Sequence, residues 1–247
     1  MKKATFLKIL IISTGFLVFT NGFATVEEEL PTSTHEKYIP KYYGENLCSY
    51  PGFTCVEVKR GDTWDKLFPD KKQREIVKRL NRTNIALHYR TWIVVPENLA
   101  KINHLDLSPF PHNIEPSPHD RRTVIVNLDF QAFGAYDEKG NLVHWGPVSG
   151  GMDWCDDIDR PCRTVTGDFK LVEKKGIDCE SNKFPVETAG GAPMPYCMFF
   201  YRGFALHAST LPGYNASHGC IRLFTDDAKW LNEQFAHVGT RVIVTQQ

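Results

Sequence analysis

Phe204-Ala205-Leu206-His207-Ala208-Ser209-Thr210, followed by Ser217-His218-Gly219-Cys220-Ile221-Arg222-Leu223, is the stretch on which the reading of this chain turns. His207 ends an apolar run with strand character, a rigid platform for an imidazole. A thiol attacks only as thiolate, and a nearby imidazole lowers its pKa and later hands the proton to a leaving group. Gly219 lets the backbone turn tightly before Cys220 and bring amide N–H groups near the sulfur, as an oxyanion site requires. A metal centre in the same segment would have only His207, His218 and Cys220 to draw on, so neither metal nor other cofactor is expected.

Outward from this segment, residues after Arg121 are rich in strand patterns. Thr123 to Leu128, Gln131 to Tyr136 and Leu142 to Val148 read as strands, with a turn at Asp137-Glu138-Lys139-Gly140-Asn141. Gly167 to Val172, Met198 to His207 and Val242 to Val244 read the same way. Asp226 to Phe235 is the one clear helix of this half, with Asp226 as cap and Ala228, Leu231 and Phe235 on one face. The expected fold is mainly β, a sandwich or open barrel with one or two short helices.

The 247 residues are 42% hydrophobic and 23% charged, a globular balance that excludes fibrous or wholly disordered classes. Basic and acidic residues number 29 each, which argues against a nucleic-acid binder working by bulk charge. Lys2 and Lys3, the apolar run Ile9 to Phe19 and the small residues Gly22-Phe23-Ala24 read as an export signal over 1–24. The run is too short for a membrane anchor, which needs about 20 apolar residues. Cleavage would leave 26 basic against 29 acidic residues, a net charge of −3, with no stable membrane attachment. An exported chain meets oxidising conditions, so its seven cysteines tend to pair. Cys48 with Cys55 is the bridge available in the first half. Among Cys155, Cys162, Cys179 and Cys197 three pairings are open, and short loops favour Cys155–Cys162 and Cys179–Cys197. Cys220 is then the free thiol.

Residues 25–45 read as a polar linker or arm. Residues 46–97 read as a small α+β domain ordered strand, helix, helix, strand. Val56 and Val58 alternate with charge, Asp62 or Thr63 caps a helix, Ile76, Val77 and Leu80 form a helical stripe, and Trp92 to Val95 ends at Pro96. This unit resembles a LysM peptidoglycan-binding module in Val56 to Trp64, in Leu80-Asn81 and in Trp92 to Pro96; Arg90-Thr91 stands where that family often has Gly. The resemblance implies a cell-wall glycan ligand. A balance of +4 over 46–97, against −4 over 98–247, weakly favours an anionic polymer. Residues 98–120, with Pro109, Pro111, Pro116 and Pro118 and three histidines, read as a stiff linker. Asp153 to Asp159 reads as a solvated, disulfide-clipped loop, not a calcium loop. Asn81-Arg82-Thr83 and Asn215-Ala216-Ser217 are chance matches to a glycosylation sequon.

Residues 121–247 resemble the catalytic domain of the L,D-transpeptidase family. The resemblance rests on Ser217 to Leu223 downstream of the His207 strand, on the opening hairpin, and on Pro147 to Gly151, Thr164 to Phe169 and Met194-Pro195-Tyr196. Val165 stands where the family commonly has Pro, and Ala208 where Gly commonly follows the His. It implies a secreted, periplasmic or wall-associated enzyme acting on peptidoglycan stem peptides. Cys220 would attack the third residue, expel D-alanine and leave a thioester; His207, oriented by a carbonyl at or near Ala208, would serve as base and then acid. Ser217, His218, Gly219, Tyr196 and Arg222 would contribute oxyanion or substrate contacts, with structural pairing an equal alternative for Arg222. A carboxypeptidase or crosslink hydrolase would use the same pair, and a non-catalytic wall-binding protein would need Cys220 blocked.

Overall fold

The computed structural model describes residues 42–117 and 122–246. The expected export signal, most of the 25–45 arm and residues 118–121 lie outside them. Among the described residues no helix is long and apolar enough to cross a membrane.

The N-terminal unit is built from β1 (Phe53–Glu57), α1 (Trp64–Leu67), α2 (Lys71–Leu80) and β2 (Trp92–Pro96). Thr63 caps α1 by accepting the Lys66 N–H at 3.3 Å, and Asp70 caps α2 by accepting the Gln73 N–H at 2.8 Å. Antiparallel β1 and β2 pair from Phe53 opposite Pro96 to Glu57 opposite Trp92. Trp64, Val77, Leu87 and Ile93 make the small core, and a Cys48–Cys55 disulfide ties β1 to the turn before it. Asn81, fully buried, ends α2 by donating to the Val77 and Val94 carbonyls and accepting the Val94 N–H.

The second unit is a curled nine-stranded sheet, a half-barrel: the open-barrel form of the expected mainly β fold. Its strands are β3 (Thr123–Asn127), β4 (Ala132–Tyr136), β5 (Leu142–Ser149), β6 (Gly167–Lys170), β7 (Glu173–Lys174), β8 (Met198–Tyr201), β9 (Phe204–Ala208), β10 (Ile221–Leu223) and β11 (Arg241–Thr245). Their order is β6-β11-β3-β4-β5-β10-β9-β8-β7, antiparallel except for β11 with β3 and β10 with β9. Val124, Val126, Phe133, Val148, Leu206, Leu223, Val242 and Val244 fill its inner face. Disulfides Cys155–Cys162 and Cys179–Cys197 clip two loops, and Cys220 is free.

Three elements differ from the sequence-based expectation. Met198 to His207 is a hairpin, because Arg202 and Gly203 both take positive φ, 38° and 90°, and reverse the chain. The last helix, α3 (Thr225–Trp230), runs into a π turn at Leu231–Phe235. Its N-cap position is Phe224, with no side-chain cap, and Asp226 is exposed. Residues 103–117 do not span open space. Asn103 caps a 3-10 turn over His104–Leu107, Phe110 packs with Tyr136, Leu142 and Trp145, and the Tyr136 hydroxyl donates to the Pro111 carbonyl at 2.8 Å. The apolar residues between the prolines convert an expected spacer into a strap across β4 and β5. His104 stacks on Trp145 at 5.0 Å, and burial, helped by the nearby Arg79 charge, lowers its pKa to about 4.

The N-terminal unit is joined to the half-barrel through a buried carboxylate. Asp227 on α3 accepts two hydrogen bonds from Arg79 on α2, at 2.6 and 2.7 Å, and lies 2.8 Å from His144 Nε2 on β5. Burial pushes this carboxyl up, but the Arg79 charge and the His144 hydrogen bond outweigh burial and hold it below the usual carboxylate range. Arg82, 2% exposed, adds bonds to the Phe130 carbonyl (2.9 Å) and the Tyr43 hydroxyl (3.1 Å). Arg79→Ala strands the Asp227 charge in the interior, so a loss of about 3–5 kcal/mol is expected in urea unfolding. A change within about 0.5 kcal/mol would contradict this account.

Candidate active site

Period-two alternation divides β9 and β10 between two faces. Leu206, Ala208, Ile221 and Leu223 enter the main core. His207 and Arg222 are register partners on the two parallel strands and share the opposite face. Cys220 lies one residue before β10, level with Ala205, and packs against a cluster of Ala205, Met194 and the Cys179–Cys197 disulfide. The register therefore separates Cys220 from His207 by two residues, roughly 7 Å along the strand direction, with Arg222 directly beside His207.

His207 is buried, and its Nδ1 lies 3.0 Å from the Ala208 carbonyl oxygen. A carbonyl only accepts, so Nδ1 carries the proton and Nε2 keeps its lone pair. Burial first, then the positive charge of Arg222, lowers the imidazole pKa to about 4, so the ring is neutral at physiological pH. The half-buried Cys220 thiol is pushed up by burial, partly offset by the Ala205 N–H and by Arg222. Its S–H points at the Gly203 carbonyl, 3.7 Å away. The resting pair is thus neutral thiol and neutral imidazole, and the reactive thiolate must form by proton transfer to a base during attack. Arg222 makes no ion pair among the described residues; burial lowers its own pKa, against the opposing pull of Cys220 and Tyr214.

The turn before the thiol is knitted to its neighbours. Gly219 has φ +119°, and a Cβ there would come 2.8 Å from the Phe204 ring. Its N–H is engaged by Ser217 Oγ at 3.0 Å, while the Ser217 hydroxyl donates to the Cys220 carbonyl. The Gly219 carbonyl accepts from Thr164 Oγ1 at 2.8 Å, and Thr164 in turn accepts the Gly151 N–H at 2.8 Å. A Cβ on Gly151 would collide with the Cys162 carbonyl at 1.8 Å. Ser217 N–H also donates to Gly150 O, and Met152 N–H to Ser217 O, both at 2.9 Å.

The remaining sequence-based candidates fall apart from this face. His218 Nε2 reaches the Asp157 carboxylate at 2.7 Å, and its ring packs 4.6 Å from Phe184, so it joins the two disulfide-clipped loops. Cys155, Asp157 and His218 have donor atoms within 4.8 Å of one another, but the Cys155 sulfur is bonded to Cys162. Two donors remain, which fits an ion pair better than a metal site. Tyr196 adopts φ +58° and packs into the main core. Asp153 pairs with Arg163 on the rim. Thr164, Gly151, Ser149 and Asn215 hold the thiol turn without having been singled out individually. Ser149, Gly151 and Thr164 stood only as members of the segments that carry the family resemblance, and Asn215 only in a sequon match.

The chain matches the YkuD family model, described as the L,D-transpeptidase catalytic domain, over residues 121–244. Among solved structures it is similar to the L,D-transpeptidase of Xylanimonas cellulosilytica, 27% identical with a TM-score of 0.48, over 64% of this chain and 73% of that one. It is also similar to enzymes of that description from Stackebrandtia nassauensis (22%, TM-score 0.45, 56% and 62%) and Mycobacterium smegmatis (21%, TM-score 0.42, 51% and 58%). No curated protein matches. The family match takes in every strand from β3 to β10, both His207 and Cys220, and nearly all of β11; the chain belongs to the L,D-transpeptidase catalytic-domain family and is a transpeptidase.

Proposed function

We propose that the protein is an exported cell-wall enzyme that forms 3–3 crosslinks between peptidoglycan stems through a Cys220 thioester. The observation that carries this reading is the neutral His207, with Nδ1–H held by the Ala208 carbonyl and Nε2 unprotonated, on the sheet face that Cys220 adjoins. Nε2 takes the thiol proton as sulfur attacks the carbonyl of the third stem residue, a diamino acid. The imidazolium so formed is disfavoured by burial and by Arg222, so it returns its proton to the departing amine. The C–N bond breaks, D-alanine leaves, and the acyl group remains on sulfur. The side-chain amine of a second stem then attacks the thioester, gives its proton to His207, and the thiol is restored. Arg222, without a carboxylate partner among the described residues, suits a substrate carboxylate.

The N-terminal unit is proposed to hold the enzyme on wall glycan as a LysM-like module. The βααβ order and the excess of positive charge over 46–97 support that role.

Cys220→Ala is expected to abolish the thioester adduct with a tetrapeptide stem in intact-protein mass spectrometry while sacculus binding persists. His207→Ala should lose acylation by about 100-fold or more. An adduct in Cys220→Ala, or acylation at the parental rate in His207→Ala, sinks the mechanism, and release of tripeptide alone, with an acceptor stem present, replaces transfer by hydrolysis. Because the neutral imidazole is the active form and its pKa is about 4, activity should hold as pH falls through 6.5 and fail only near 4. An acid limb in kcat/KM close to 6.5 would refute the buried-base assignment. Alkylation of the oxidised protein should label one thiol, Cys220, with a rate still rising above the ordinary thiol range of about 8.5. A plateau at neutral pH would instead indicate a resting thiolate.

A further inference from the structure

The turn that ends α2 faces the catalytic unit, not solvent. Thr83 and Asn84 lie along Ser209 to Gly213, the segment that leaves β9 immediately after His207 and Ala208. Asn84 brackets that segment. Its Oδ1 accepts the Leu211 N–H at 2.8 Å, its Nδ2 donates to the Ser209 carbonyl at 3.3 Å, and its backbone N–H donates to the Leu211 carbonyl at 3.2 Å. Thr83 Oγ1 donates to the same Leu211 carbonyl at 2.9 Å, and Thr83 forms an antiparallel bridge with Pro212. On the other side, the Ser209 N–H donates to the Leu223 carbonyl of β10 at 2.9 Å.

The peptide group joining Ala208 to Ser209 contains the carbonyl that accepts from His207 Nδ1. Its N–H end is fixed by β10, and the following peptide is fixed at the Ser209 carbonyl by Asn84. A rotation of the chain at Ser209 would swing the Ala208 carbonyl away from the imidazole and release its orientation. Among the described residues this second restraint comes from outside the half-barrel. Asn84 itself is half-buried, and the docking of its unit has independent anchors in Arg79–Asp227 and in Arg82 with the Phe130 carbonyl. Its side chain can therefore be removed without undocking the unit.

We infer that Asn84 is a positioning residue for the transpeptidase reaction: by clamping Ser209 and Leu211 from the N-terminal unit, it holds the Ala208 carbonyl in place to orient His207. The N-terminal unit then takes part in the chemistry as well as in wall binding. This rests on His207 being the base.

The test uses the full chain, with kcat and KM measured on a tetrapeptide donor and an acceptor stem, and the imidazole nitrogens of His207 followed by 15N NMR. Asn84→Ala should lower kcat about 10- to 100-fold with KM within about twofold. The His207 ring signals should move from one fixed tautomer toward an exchanging pair, and thermal unfolding should stay close to that of the parent. Asn84→Asp keeps an acceptor for the Leu211 N–H but loses the donor to Ser209, so it should recover only part of kcat. Should Asn84→Ala not fold, Asn84→Asp is judged by the same two readouts. Parental kcat with unchanged ring signals overturns the inference. So does a rise in KM alone, which would make Asn84 a substrate contact. Activity surviving in His207→Ala would instead remove the underlying assignment of the base and leave Asn84 without a target.

Discussion

A buried carboxylate on α3 holds the molecule together. Asp227 has almost no contact with water, and a charge in that position is tolerable only when partners replace its hydration. Arg79 supplies two hydrogen bonds from one unit and His144 a third from β5 of the other. The sheet makes room for it: a Cβ on Gly146 would come 2.4 Å from an Asp227 oxygen. The half-barrel thus carries an acceptor that it cannot satisfy alone. Docking of α2 is part of the folded state of the half-barrel, and everything that α2 brings with it, including the Asn81 to Asn84 turn, arrives at a defined place.

The same rule, that burial must be compensated, shapes the candidate catalytic face. The core takes alternate residues of β9 and β10, Leu206 and Ala208 with their register partners Ile221 and Leu223. That leaves His207 and Arg222 on the opposite face, the face on which Ala205 and Cys220 pack with the Cys179–Cys197 disulfide. Desolvation there favours neutral forms, so the imidazole holds no charge and the thiol keeps its proton. Arg222 adds a positive charge that opposes an imidazolium and favours a thiolate.

Much of this was legible along the chain. The strand-rich runs Thr123 to Leu128 and Leu142 to Val148, set off by the turn at Asp137 to Asn141, placed strands to within a residue or two. Among the four later cysteines three pairings stood open, and the two that short loops favoured are the ones formed. The misreadings share a cause. Met198 to His207 is uniformly apolar on both sides of Arg202-Gly203, and only the positive φ at both turn residues makes it a hairpin. Asp226 looked like a cap because acids favour helix starts, yet its neighbour Asp227 carries the structural role through a partner 148 residues away. The proline and histidine tract looked polar and stiff, and its packing depends on Trp145 and Tyr136, which reach it from the sheet.

The sequence by itself determined which chemistry was present: a strand-borne histidine, a thiol after a glycine, and six cysteines at distances that close into short loops. These are local properties, set by periodicity, turn residues and side-chain type. Tertiary structure alone decided how the groups are tuned and who holds them. Pairing between distant segments sets the burial of His207, the alignment of Arg222 with it, the Arg79–Asp227 contact and the grip of Asn84 on Ser209. Hydrogen-bond partners more than a hundred residues apart leave no periodic trace in a sequence, and the desolvation that fixes a proton's position exists only once those partners have closed around it.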